Sequence, residues 1–178
     1  MKTHIGQSTR WRSAQRQRGV FLIEALVAIL IFSLGILGMI AMGATAVSAQ
    51  SDAQYRSDAD GLANDIASQI ALKVDRGLPT DSIAVSATKL RNSLLAFAHQ
   101  PAGTDCAFSG DPSAKTEVTD WVDKITAVGT GLPGATAGSV QIAVSANAAN
   151  FNQVVITICW QAPTDKAMRK HMLVSYVN

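Results

Sequence analysis

Arg16-Gln17-Arg18-Gly19-Val20-Phe21-Leu22-Ile23-Glu24-Ala25-Leu26-Val27 is the stretch whose reading decides the fold. Upstream of it the chain is basic, with Lys2, Arg10, Arg12, Arg16 and Arg18 and no acid. Downstream, Val20-Phe21-Leu22-Ile23 opens an apolar run in which Glu24 stands alone. Ala25 to Ser51 then gives 27 residues without a charge. A bilayer needs about 20 apolar residues. The step at Gly19-Val20 therefore predicts a membrane helix with one carboxylate held near its start.

The net charge of +2 over 178 residues hides an asymmetry. Residues 1–19 carry five Lys/Arg and no acid. Residues 20–178 carry ten Lys/Arg and thirteen Asp/Glu, a net of −3. Basic residues before a membrane helix place its N-terminal side in the cytoplasm. The chain from about Gln50 is then expected in the periplasm. The basic charge reports topology, so no nucleic-acid partner is expected.

A secretory signal has an apolar core of about 7–15 residues, and this one is about twice that. Ala44-Thr45-Ala46 and Ser48-Ala49-Gln50 resemble signal-peptidase sites, and cleavage there would release the domain; this is the competing reading of the segment. No cysteine lies near the helix, which excludes a lipoprotein anchor. Cys106 and Cys159 both fall in the exported part, where an oxidising compartment favours pairing. They would close a loop of 54 residues, for about 4 kcal/mol by chain entropy. Two separate buried thiols are the alternative.

The helix is expected to continue past the membrane. Leu62, Ile66, Ile70 and Val74 recur at spacing four, with Ala59, Ala63 and Ala67 beside them. Gly77-Leu78-Pro79 ends the pattern. The sum is one helix of about 55 residues and about 80 Å. A second helix is expected over Asp81–Ala98, with Leu90, Leu94, Leu95 and Phe97 as its apolar residues. Pro101–Pro112 reads as loop. A third helix is expected over Ser113–Val128, burying Val118, Trp121, Val122, Ile125 and Val128. Gly129–Gly138 is again loop. The period then changes to two, with strands over Ser139–Val144, Val154–Trp160 and Met168–Val177 and a turn at Pro163-Thr164-Asp165. This is an α+β domain with an antiparallel meander that covers the amphipathic half of the helix.

Glu24 is the residue with chemistry to explain. A carboxylate in hydrocarbon costs at least about 2.5–3.5 kcal/mol and usually marks function. Reaching shallow headgroups is the bland account. A cut between Gly19 and Val20 would create an α-amino group about one helical turn away. In a bundle of staggered copies, each Glu24 would meet a neighbour's amine, and every other register would bury a carboxylate unpaired.

These residues resemble a type IV prepilin: a basic leader ending in Gly, four apolar residues, Glu, then a long apolar helix. The resemblance implies cleavage by a prepilin peptidase after Gly19, N-methylation of Val20, and an assembly role for Glu24. Leu34-Gly35-Ile36-Leu37-Gly38, Asp120-Trp121, Leu132-Pro133-Gly134-Ala135 and Val154–Trp160 are similar to the PilV group of minor pilins, so the likeness runs over most of the chain. It implies a type IV pilin-like fold with three parts. Residues 1–19 are the leader, 20–49 the transmembrane and assembly helix, and 50–178 the periplasmic globular domain. It also implies a minor pilin that helps to initiate or stabilise assembly. Its partners would be other minor pilins, the major pilin, the prepilin peptidase and the inner membrane. A pseudopilin of type II secretion shares the same anchor and processing. Where major pilins often carry a Pro, this chain has Ala41, with Gly35, Gly38 and Gly43 nearby; these glycines read as a small-residue packing face, with local unwinding in a filament as the alternative.

The other polar residues read blandly. His99 and His171 lack metal-ligand spacing, so neither metal nor cofactor is expected. Trp121 and Trp160 read as core. Arg169-Lys170 reads as solvated edge-strand charge. Asp120 and Asp123 read as surface. No catalytic arrangement appears, and the alternative from another class is a single-pass anchored binding protein that never assembles.

Overall fold

The structure is a computed structural model that describes residues 18–145, 152–163 and 165–177. The expected leader lies outside the described residues except for its last two. Asn150 and Thr164 also lie outside them. The chain divides into two compact units, residues 1–48 and 49–178.

Helix α1 (Arg18–Lys73) is continuous over 56 residues and begins two residues ahead of the expected start. The side chains of its first half, in the first unit, are exposed: Phe21 is 73%, Leu26 66% and Phe32 68% accessible. By length and composition this segment is apolar enough to cross a membrane. Its hydroxyls are satisfied within the helix. Ser33 Oγ donates to Ile29 O at 2.7 Å and Thr45 Oγ1 to Ala41 O at 3.1 Å. Hydroxyls paired to the backbone of their own helix suit a hydrocarbon environment.

In the second unit, Ala59, Ala63, Ile66 and Ile70 of α1, with Val74 just past its end, are buried in one core. Leu62 is only partly buried beside them. The cover is a three-stranded antiparallel sheet of order β3-β4-β5. Its strands are β3 (Val140–Ser145), β4 (Gln153–Trp160) and β5 (Arg169–Tyr176). Ile142 opposes Ile156, which opposes Leu173; Val140 opposes Ile158. Those residues alternate onto the inner face, as period two requires. The expected α+β class and the antiparallel meander are present.

Helix α3 (Thr116–Thr126) buries Val118, Trp121, Val122 and Ile125. Trp121 Nε1 donates to Leu62 O at 2.8 Å, fixing α3 to α1. Trp160 is also core, at 1% accessible.

Four expectations need correction. Helix α2 is Ile83–Leu95, shorter at both ends than 81–98. Ser82 is its N-cap, accepting from Val85 N–H at 3.4 Å, and the Asp81 carboxylate instead accepts from Leu78 N–H at 2.7 Å. Phe97 lies beyond the helix end in the core, while Leu95 is 44% exposed. Second, α3 starts three residues later than expected, because Ser113 is a buried tie whose Oγ donates to Ala96 O at 2.7 Å. Third, Val128 follows the end of α3 and is fully exposed rather than buried.

Fourth, the expected loop 101–112 contains a hairpin of β1 (Ala102–Thr104) and β2 (Ala107–Ser109). Asp105 and Cys106 form its two-residue turn, both with positive φ (51° and 67°), the sign that suits hairpin twist. At Gly103 a Cβ would come within 2.2 Å of the Ala107 carbonyl oxygen, so only glycine fits.

Truncating Ile66, which is 0% accessible, should destabilise the domain by about 3 kcal/mol in denaturant unfolding of Ile66→Ala. Leu72 is 82% exposed, and Leu72→Ala should stay within about 0.5 kcal/mol.

Candidate functional site

The residues singled out by the sequence fall in two places. Val20 and Glu24 sit on the first turns of α1, both exposed. The backbone of Gly19 is helical, and its peptide bond to Val20 lies inside α1. One carboxylate stands on an otherwise uncharged surface that extends to Ser51. A Cβ placed at Gly35, Gly38 or Gly43 would meet nothing within 4 Å. These glycines are open to close approach by another helix, and their absence of side chains costs helix stability by about 1 kcal/mol each.

Cys106 and Cys159 form a disulfide, with Cα atoms 5.7 Å apart. It ties the hairpin turn to the outer face of β4. At the same end of the sheet, Gln141 Nε2 donates to Gln100 O at 3.0 Å. The hairpin thereby covers one end of the outer face, and Gln141, Thr157 and Cys159 are buried there.

His99 is buried behind this corner. Its backbone pairs with Ile142 at the edge of β3, and Ser113 N–H donates to its Nδ1 at 3.3 Å. Nδ1 is thus an acceptor, which puts the proton on Nε2. Burial pushes the pKa below the ordinary 6.5, and a smaller pull from the Ala137 backbone opposes it. The residue is a structural neutral histidine. No group of His, Cys, Asp or Glu suited to a metal ion occurs among the described residues.

Arg169 departs from the solvated charge expected of it. Its Nε and Nη2 fork onto Asp165 at 2.7 and 2.9 Å, and Nη1 reaches Asp52 of α1 at 2.8 Å. The hydrogen bonds from Arg169 hold the Asp165 carboxyl below its usual range. His171 Nε2 lies 3.4 Å from Asp60. β5 is therefore fastened to α1 by the Arg169–Asp52 ion pair in addition to the packing of Leu173, whereas β3 and β4 are fastened by apolar packing. Spacing in the sequence shows Asp165 and Arg169 four apart but not the reach to Asp52. Asp120 and Asp123 are exposed, as expected.

An open groove of about 620 Å³ runs between α1 and the segment after α3, lined by Asp58, Gly61, Leu62, Asp65, Lys124 and Leu132 among others. Lys124 and Asp65 pair across it at 3.4 Å. Comparison of the chain with protein-family models, with curated proteins and with solved structures found no match.

Two outcomes follow from this geometry. Replacing both cysteines by Ser should lower unfolding stability by about 4 kcal/mol, measured against the same protein with the disulfide intact. An unfolded chain protonates His99 below pH 6.5, while the folded chain keeps it neutral to lower pH. Its contribution is therefore complete above pH 6.5 and is lost as pH falls toward the folded pKa. His99→Gln should flatten that part of the stability profile.

Proposed function

We propose that this chain is a minor subunit of a type IV pilus, made as a precursor and cut between Gly19 and Val20. The observation that carries the reading is the first half of α1: an exposed apolar helix interrupted by one carboxylate, at Glu24. Such a surface is compatible with lipid before assembly and with neighbouring helices after it. Membrane helices associate by close packing and polar contacts, since lipid supplies no hydrophobic drive between them. Gly35, Gly38 and Gly43 provide the first of these. Glu24 and the new amine of Val20 provide the second.

In this reading the basic leader stays in the cytoplasm and residues 50–178 are periplasmic, pinned by Cys106–Cys159. The globular domain selects the neighbouring pilins. The pilin-like arrangement is supported by a long helix whose second half is buried under a C-terminal antiparallel sheet. Initiation or stabilisation of the fibre is the expected task. A secretion pseudopilus would use the same anchor and cut, and the fibre in which the protein is found separates the two.

The register role of Glu24 is tested by Glu24→Ala. Cleavage after Gly19 should persist, while the amount of protein in sheared fibres should fall about tenfold or more relative to the membrane pool, the scale set by one lost buried ion pair. Undiminished incorporation would contradict the pairing.

A further inference from the structure

β5 ends the sheet: β4 lies on one side, and no strand lies on the other among the described residues. The hydrogen-bond phase shows which residues face that open edge. At the far edge His99 and Ile142 exchange both backbone bonds, at 3.0 and 2.9 Å. Ile142 therefore turns its backbone away from β4, and its neighbours Gln141 and Ala143 turn theirs toward it. Their partners Thr157 and Val155 are spent on β3. Ile156 and Ile158 then bond Leu173 and His171 of β5. The Val177 N–H bond to Asn152 O, at 3.4 Å, has the same phase. Lys170, Met172, Val174 and Tyr176 are left with N–H and C=O groups directed at the open edge.

The same four residues carry their side chains on the outer face. Met172 is 59%, Tyr176 56% and Val174 39% accessible. The hairpin covers Gln141, Thr157 and Cys159 on β3 and β4, while these β5 residues stay exposed. Edge strands are normally blunted by charges, proline, bulges or shortness. β5 is eight residues long, and its register with β4 is unbroken. Arg169 and His171 are turned onto Asp52 and Asp60 of α1. That leaves Lys170 as the one charge of β5 on the exposed outer face, and no carboxylate pairs with it among the described residues.

We propose that the open edge of β5 is a strand-acceptor site, which takes an extended segment of a different protein as a fourth strand. The segment would set apolar side chains opposite Met172, Val174 and Tyr176 and an acidic one opposite Lys170. Backbone bonds supply affinity in this mode, and alternate side chains supply choice. A second copy does not fit. The edge strands of a second copy, β3 and β5, carry no acidic residue to set opposite Lys170. β5–β3 pairing is obstructed by His99 at Ile142.

The test uses the full chain in detergent and hydrogen exchange of residues 168–177. One probe is a capped octapeptide alternating Val and Thr, with a Glu set to face Lys170. The second is the same peptide N-methylated at alternate amides. At saturation the first should slow exchange of the edge amides about tenfold, and the second should not. Lys170→Glu should weaken the first peptide about threefold, with recovery when the peptide's Glu is replaced by Lys. No slowing, or equal binding of the N-methylated peptide, would overturn the proposal. Slowed exchange without peptide, rising with protein concentration together with a doubled mass, would overturn it in favour of a second copy. None of these readings involves fibres, so a chain absent from pili but protected by the peptide would sink the assembly reading and leave this one standing.

Discussion

Everything in this protein depends on one long helix that is covered by its own domain along only part of its length. Around Ala59, Ala63, Ile66 and Ile70 the helix is buried, and small residues at two of these positions let the sheet approach. Between Val20 and Val47 the apolar side chains are bare. Exposed apolar surface on that scale marks an interaction with membrane or protein. In the proposed assembly Glu24 would make that surface directional: a helix with no charge could slide along lipid or neighbours, whereas one fixed carboxylate would make most registers costly.

The domain solves a second problem, that of attaching a small sheet to a single helix. Apolar packing holds β3 and β4, and the Trp121 indole links α3 to the Leu62 carbonyl. β5 adds the Arg169 pairs with Asp52 and Asp165 to the packing of Leu173. On the outer face the disulfide fastens a hairpin over residues of β3 and β4 and leaves β5 exposed. The asymmetry between a far edge closed by His99 and a near edge left free follows from these separate attachments.

Much of this was legible in the sequence because it is periodic. The spacing-four stripe gave the buried face of α1, with Leu62 more exposed than its position suggests. Alternation gave all three long strands within a residue or two, and the apolar positions of α3 gave its buried face up to Ile125. The β1–β2 hairpin was not legible, because strands of three residues carry no measurable alternation and an Asp-Cys turn is not a usual hairpin signal. Val128 breaks the apolar pattern of α3 because the helix stops before it. The Ser113 tie that delays α3 has no sequence signature. Arg169 looked like surface charge because its partner Asp52 lies more than a hundred residues away. Of the candidate assembly residues, Val20 and Glu24 lie on the first exposed turns of α1, and no spacing rule reveals what they meet.

The most direct measurement is the mass of the N-terminal peptide of this protein in sheared fibres and, separately, in membranes. The account predicts a peptide beginning at methylated Val20 in both fractions. A peptide beginning at Met1 in both, or one beginning near Gln50, would contradict it and leave an anchored or released domain that does not assemble.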